Sequence, residues 1–243
     1  MRLQLLFAFL FACIFANAQP KEEIRYHMRY SFFRGGEATL IVEDTTYKGK
    51  KAVHLVLDGN TVGLANALFG VHDVYESIVN PETFLPYKAI RNIREGDYRY
   101  YNEAFFYNDQ DSLYSKKSGP LKVPHNTVDF VTAFFKMKNT SYLDQFDGGE
   151  EFSIPVFHAG EQFMMRVQYL GKTTIKSDLG KKECHIIRPR IEKGKVLDSD
   201  DGLKFYITND EARIPLLLEF ELKVGSLKCE LYSYKKNGVE QVH

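Results

Sequence analysis

The chain has 243 residues, 44% of them hydrophobic, with 19 Phe and 15 Tyr, enough apolar material for a packed core and against wholesale disorder. Lys plus Arg is 32 and Asp plus Glu is 32, so the formal charge is zero. That balance argues against a nucleic-acid binder, which needs a basic face to replace phosphate counterions, and gives no polybasic patch for a membrane surface.

The N-terminus reads as a secretory signal. Arg2 is followed by an apolar run from Leu3 to Phe15, and then by Ala16-Asn17-Ala18 with small residues where a signal peptidase requires them. Cleavage is expected after Ala18, leaving residues 19–243 as one exported, soluble antiparallel β domain, periplasmic or beyond. The run is too short to span a bilayer core, which takes ~20 residues. Leu10-Phe11-Ala12-Cys13 is a faint lipoprotein box, but Phe11 is bulky where a small residue is usual, so a lipid tether at Cys13 is not expected. No later stretch is apolar enough for a transmembrane span. The remaining cysteines, Cys184 and Cys229, are the one candidate disulfide pair. Cys229 alternates in phase with Leu227 and Leu231, and two buried free thiols are the simpler expectation.

A period of two then dominates. Ile24, Tyr26, Met28, Tyr30 and Phe32 alternate with Arg25, His27, Arg29 and Ser31, which places one face of a strand inward and the other in water. Gly35-Gly36 reads as a tight turn, after which Ala38, Leu40 and Val42 resume the alternation, and Ala52–Leu57 follows. Further strands are predicted at 71–79, 84–94, 98–107 and 112–116. The second half adds 152–157, 163–169, 173–177, 183–188, 203–208, 216–224 and 227–234, with a break at Leu170-Gly171. Gly, Asn and Asp punctuate these runs.

Two apolar segments break the rhythm. Asn126 or Thr127 can cap a helix running to Lys138, with Asp129 in its first turn. Thr61–Phe69 reads as a short helix or an apolar loop. About a dozen twisted strands cannot remain flat, because a large sheet curls, splits or closes. The expected fold is therefore all-β with one or two short helices: a strongly curved antiparallel sheet or half-barrel wrapping the 127–138 helix.

Several stretches carry a resemblance: Tyr26–Leu40, Tyr75-Glu76-Ser77 leading to Leu85-Pro86, Thr127-Val128-Asp129-Phe130, Asp210–Pro215 and Gly225-Ser226-Leu227. On these the chain resembles an uncharacterised family of exported bacterial proteins, a domain of unknown function. These motifs are structural punctuation and imply no activity. The expected architecture is similar to that of the periplasmic lipoprotein carriers, an analogy of fold alone.

Catalytic chemistry is not visible. His72 and Glu76 would lie ~13 Å apart on a strand, and His158 and Glu161 flank a turn. His27 and His54 fall on polar phases, and His125 sits in a loop. Cys184 and His185 point to opposite faces, against a dyad. Asp198-Ser199-Asp200-Asp201-Gly202 is acidic but lacks the spacing of a calcium loop. No enzyme, cofactor or metal is expected. The aromatic run Tyr98, Tyr100, Tyr101, Phe105, Phe106 and Tyr107 is a possible stacking platform, though aromatic residues more often pack across strands.

The sequence thus points to a non-enzymatic module that holds a lipid or a lipoprotein acyl group in the concavity of its sheet. Phe163, Met165 and Val167 would form walls, with Leu64, Leu68, Phe69, Phe130, Phe134 and Phe135 as plug or lid. The alternative is a structural protein of the cell envelope that binds a protein or glycan. A cavity of ~300–1,000 Å³ between helix and sheet would favour the first, and a solid interior the second.

Overall fold

A computed structural model describes residues 21–31, 33–190, 202–222 and 225–241. The signal segment with Arg2, Cys13 and Ala18 therefore lies outside the described residues, as do Phe32, Val224 and Asp198–Asp201 of the acidic loop.

The period-two runs form strands in an antiparallel meander. In the first half these are β1 (Glu22–Tyr30), β2 (Phe33–Tyr47), β3 (Lys50–Thr61), β4 (His72–Val79), β5 (Pro86–Glu95), β6 (Tyr98–Tyr107), β7 (Ser112–Ser115) and β8 (Gly119–Lys122). Helix α1 (Gly63–Leu68) sits between β3 and β4. The short β9 (Val128–Asp129) leads into helix α2 (Phe130–Lys138). The second half is β10 (Glu151–His158), β11 (Glu161–Ser177), β12 (Gly180–Arg190), β13 (Leu203–Thr208), β14 (Pro215–Glu221), β15 (Ser226–Lys236) and β16 (Val239–Glu240).

All sixteen join one sheet. Its order runs β8 to β1 in reverse, then β15 down to β9, with β16 on β15. The chain thus builds two meanders that meet where β1 pairs with β15, as the register Met28↔Cys229 shows. Every pairing is antiparallel except β9 on β10, where the chain crosses the interior through α2.

The sheet curls over α2, as expected from its size. Ile24, Tyr26, Leu40, Leu55, Val167, Ile207 and Leu231 face the same core as Val131, Phe134 and Phe135. The curl goes far enough for one end to reach the other. Phe157 of β10 packs with Ala104, Phe106 and Leu113 of β6 and β7 in a second small core.

The helix begins one turn later than the sequence suggested. Asp129, not Asn126 or Thr127, is the cap: its Oδ1 accepts the N–H groups of Val131 at 3.0 Å and Thr132 at 3.1 Å. Its Oδ2 accepts the hydroxyls of Ser77 and Thr132, each at 2.6 Å. This network ties the helix to β4. At the far end the buried Lys138 ammonium meets Glu22 at 3.1 Å.

Two glycine signals differ from expectation. Gly35-Gly36 lies within β2 and makes no turn. Glycine is required at 36 because a Cβ there would come within 2.7 Å of the Asn60 carbonyl. The predicted break at Leu170-Gly171 is a bulge inside one long strand, where the register shifts between Tyr169 and Gly171.

Candidate functional site

A mainly apolar departure from close packing lies between α2 and the sheet. Antiparallel pairing sets Tyr26, Ala38, Gly59 and Asp73 side by side across β1, β2, β3 and β4. Two neighbours in that row, Ala38 and Gly59, are too small to reach the helix. Beneath them is a hollow of about 190 Å³. Phe130 and Phe134 of α2 form one wall, and Leu40, Leu57 and Met28 line the sheet near the small pair. Leu203, Phe205, Leu218, Phe220 and Cys229, from β13 to β15, close the other side.

The hollow is lined by apolar side chains apart from Asp73 and the tyrosines Tyr26 and Tyr75, and the Tyr26 hydroxyl is occupied, donating to the Pro215 carbonyl at 2.8 Å. Met28, Gly59, Asp73 and Phe220 are only half-buried, so the hollow opens toward the end of the sheet that carries α1.

The residues expected to line a ligand site divide into three groups. Phe130 and Phe134 line the hollow. Phe135, Met165 and Val167 are buried in the core around it, and Phe163 is packed against that core, but none of the four faces the hollow. Phe135 turns behind Phe134, which it meets edge-on at 5.8 Å. Leu64, Leu68 and Phe69 are not interior at all: they are 64%, 79% and 55% exposed. A six-residue helix with no buried side chain cannot be a plug. It sits instead as a lip at the open end, tied down by the Val62 N–H on the Gly35 carbonyl at 2.9 Å. The Phe69 ring lies over Gly96.

The true walls came from strands whose inward phase was legible but whose role was not. The usable signal was the pair of small residues, Ala38 and Gly59, on inward phases among large ones.

A second, smaller pocket of about 40 Å³, with a few polar groups in a mainly apolar lining, adjoins the first. The two share Tyr75 and Phe130, whose rings are 5.9 Å apart and form the partition. Register makes its lining inevitable, because Tyr75, Arg91 and Asn102 are direct cross-strand partners on the inner face of β4, β5 and β6. The Arg91 guanidinium lies over the Tyr100 ring at 4.8 Å and near the Tyr75 ring at 5.8 Å. His158 closes the pocket against Phe130, at 5.1 Å between ring centroids. Burial, with Arg91 adding to it, holds the His158 imidazole down to about 4, so it is neutral at pH 7. Burial raises the Asp129 carboxyl above its ordinary value, while its four hydrogen bonds pull the other way.

The remaining candidates have structural partners. His54 bridges Glu43 and Glu76 at 2.8 Å each across β2, β3 and β4. His72 meets Asp58, His125 meets Asp111, and His27 stacks on Tyr232. Cys184 and Cys229 are buried free thiols, pushed up by burial to about 11 and about 12. His185 is buried, with Nδ1 3.0 Å from the Tyr169 hydroxyl. Among the described residues no three His, Cys, Asp or Glu side chains gather as a metal site. Nor is any helix there long and apolar enough to cross a membrane.

The model of a family described as protein of unknown function (DUF3108) matches residues 25–232. A β-barrel-like protein of the domain of unknown function DUF1849 from Brucella abortus superposes with a TM-score of 0.57 at 8% identity, covering 89% of this chain and 98% of that one. A DUF1089 family protein from Pseudomonas aeruginosa gives a TM-score of 0.33 at 9% identity over 88% and 95% of the chains, too low to weigh. No curated protein matches. The likeness to the Brucella protein is one of fold.

Proposed function

The chain belongs to the family of unknown function DUF3108, and from that premise we propose that it is a non-enzymatic, exported binding module for an apolar or amphipathic ligand held between α2 and the sheet. The observation that carries this reading is the apolar hollow of about 190 Å³ under Ala38 and Gly59. A dry apolar cavity of ~150 Å³ is enough to take up a benzene-sized molecule. The hollow is smaller than the ~300–1,000 Å³ expected for a drug-sized ligand. It therefore accommodates a short length of alkyl chain, with the rest leaving across the exposed lip of Leu64, Leu68 and Phe69.

Removing apolar surface from water supplies ~25 cal/mol per Å². The lip loses little on contact with a ligand, since its side chains are already in water. Two further features support a binding role over catalysis. Both described thiols are protonated at neutral pH, so neither is a ready nucleophile. Each polar histidine contact already serves a strand or loop pairing.

The test is displacement of a neutral fluorescent dye, N-phenyl-1-naphthylamine, by decanol. Saturable dye binding by the native protein, lost in a folded Ala38→Phe variant, is the expected result. Equal binding by both proteins, or none by either, would overturn the reading.

A second reading is favoured by one specific feature. Tyr101, Tyr107 and Tyr114 are 48%, 47% and 43% exposed on the outer face of β6 and β7, while Phe106 turns inward. A protein or glycan partner could stack there. Loss of partner or polysaccharide retention in a Tyr101→Ala, Tyr114→Ala double variant, with dye binding intact, would select it.

A further inference from the structure

Taking the apolar hollow as the ligand site, as proposed above, we infer that the ligand ends in a compact anion: the small pocket across the Tyr75–Phe130 partition is a carboxylate site, and Arg91 is its recognition residue. The substrate class is a medium-chain fatty acid or another acyl chain with a small acidic head.

The argument starts from an arginine on the inward face of a sheet. Register leaves Arg91 no choice, since Tyr75 on one side and Asn102 on the other face the interior with it. Burying a guanidinium is costly unless its charge is met. Two aromatic faces meet part of it, at 4.8 Å and 5.8 Å. The Tyr75 hydroxyl accepts one hydrogen bond from the guanidinium, but the Arg91 Nε itself is buried and has no hydrogen-bond partner among the described residues. An anion in the pocket would supply the missing acceptor.

The neighbouring acids do not fill that role. Asp129 lines the same pocket, but its oxygens are taken by Val131, Thr132 and Ser77. Glu76 is held by His54. Asp73 interacts with Arg91 only through space and accepts the Arg94 N–H at 3.1 Å.

Size sets the kind of head. A water needs ~10–15 Å³ of such space, so about 40 Å³ takes a carboxylate and excludes a bulky phosphodiester headgroup. Position sets the kind of tail. The pocket and the hollow share their partition, so one molecule that displaces the Tyr75 and Phe130 rings places its head at Arg91 and its chain under Ala38. A neutral His158 at the pocket wall adds no rival cation and can donate one hydrogen bond to the head.

The experiment compares decanoate with decanol in the same dye-displacement assay at pH 7.5, on the native protein and on Arg91→Met and Arg91→Lys, each checked for folding by circular dichroism. A hydrogen-bonded ion pair in a buried site is worth ~1.5–3 kcal/mol, which is about 10-fold to 100-fold in affinity. Native protein should therefore prefer decanoate over decanol by about that factor. Arg91→Met should lose the preference while still binding decanol, and Arg91→Lys should keep part of it. Equal affinity for acid and alcohol in the native protein, or a preference that survives Arg91→Met, overturns the carboxylate site and leaves apolar binding standing. Binding of neither overturns both.

Discussion

Acidification should cost this protein stability in part through His158, and replacing that residue by Phe should remove its share of the cost. The imidazole ends β10 with its centroid 5.1 Å from the Phe130 ring and 6.0 Å from the Tyr75 ring. Burial holds its folded pKa down to about 4, against 6.5 for an ordinary histidine. Between those two values the unfolded chain binds a proton that the folded chain refuses. Stability then rises with pH across the window and is lost as pH falls from 6.5 to about 4. At 1.36 kcal/mol per pKa unit, the loss is about 3 kcal/mol by pH 4. For a chain of this length that is a fall in Tm of roughly 6–12 °C. His158→Phe preserves the ring packing and cannot charge. Carboxylates that titrate in the same range do so in both proteins and cancel in the comparison. Thermal unfolding of both proteins from pH 7 to pH 4 should show the variant pulling ahead by that amount. Two curves that fall in parallel would refute the reasoning.

Asp129→Ala removes the α2 cap, worth ~1 kcal/mol, and leaves the buried Ser77 hydroxyl without its acceptor at ~1–3 kcal/mol, while Thr132 can still donate to Ser77, so urea unfolding should show a loss of about 2–4 kcal/mol. Asp129→Asn should lose less, because an amide oxygen still accepts the Val131 and Thr132 N–H groups; a loss below ~1 kcal/mol for the alanine variant would contradict the network. His54 works in the opposite sense to His158. Its pKa is raised, first by the hydrogen bond to Glu76, so its contribution is full below the unfolded value of about 6.5 and disappears as pH rises through the folded value. His54→Gln should flatten that decline in a Tm series from pH 6 to pH 9. Cys184 and Cys229, with thiols raised to about 11 and about 12, should resist a thiol reagent at pH 8 in the folded protein and react promptly in denaturant. Prompt reaction of the native protein would show that one of them is accessible.

The curl of the sheet and the central place of α2 were legible because they follow from period, strand number and one apolar helix. Inward residues such as Ile24, Tyr26, Leu40 and Leu218 could be read directly from alternation. The helix start was misplaced because Asn126, Thr127 and Asp129 are all good caps. What decided among them was Ser77, a residue on β4 whose hydroxyl donates to Asp129 and to neither of the other two. The mistaken turn at Gly35-Gly36 has a similar cause. Glycine marks both tight turns and close backbone approaches, and only the Asn60 carbonyl of the neighbouring strand tells which. The 61–69 segment was assigned to the interior on composition, yet composition does not say which side of a strand end a short helix will fall. Arg91 was overlooked because an arginine on a strand is ordinarily exposed. Its inward phase became visible only once β5 was set in register against Tyr75 and Asn102.

The hollow itself is hard to explain as a by-product of folding. An enclosed core cavity costs ~24 cal/mol per Å³, so about 190 Å³ sets an upper bound of roughly 4–5 kcal/mol, which the open end of the hollow lowers. That is a large share of the ~5–15 kcal/mol by which domains are stable. A remedy was within easy reach, since Ala38 already faces the space and a leucine there would occupy part of it without disturbing the β2 ladder. The same holds for the half-buried Arg91, whose enclosed Nε a methionine of similar length would replace without leaving a donor unmatched. Two adjoining costs of this kind, one apolar and one ionic, separated by a single pair of aromatic rings, have a common physical resolution. An amphipathic molecule with its chain in one and its head in the other would offset both at once.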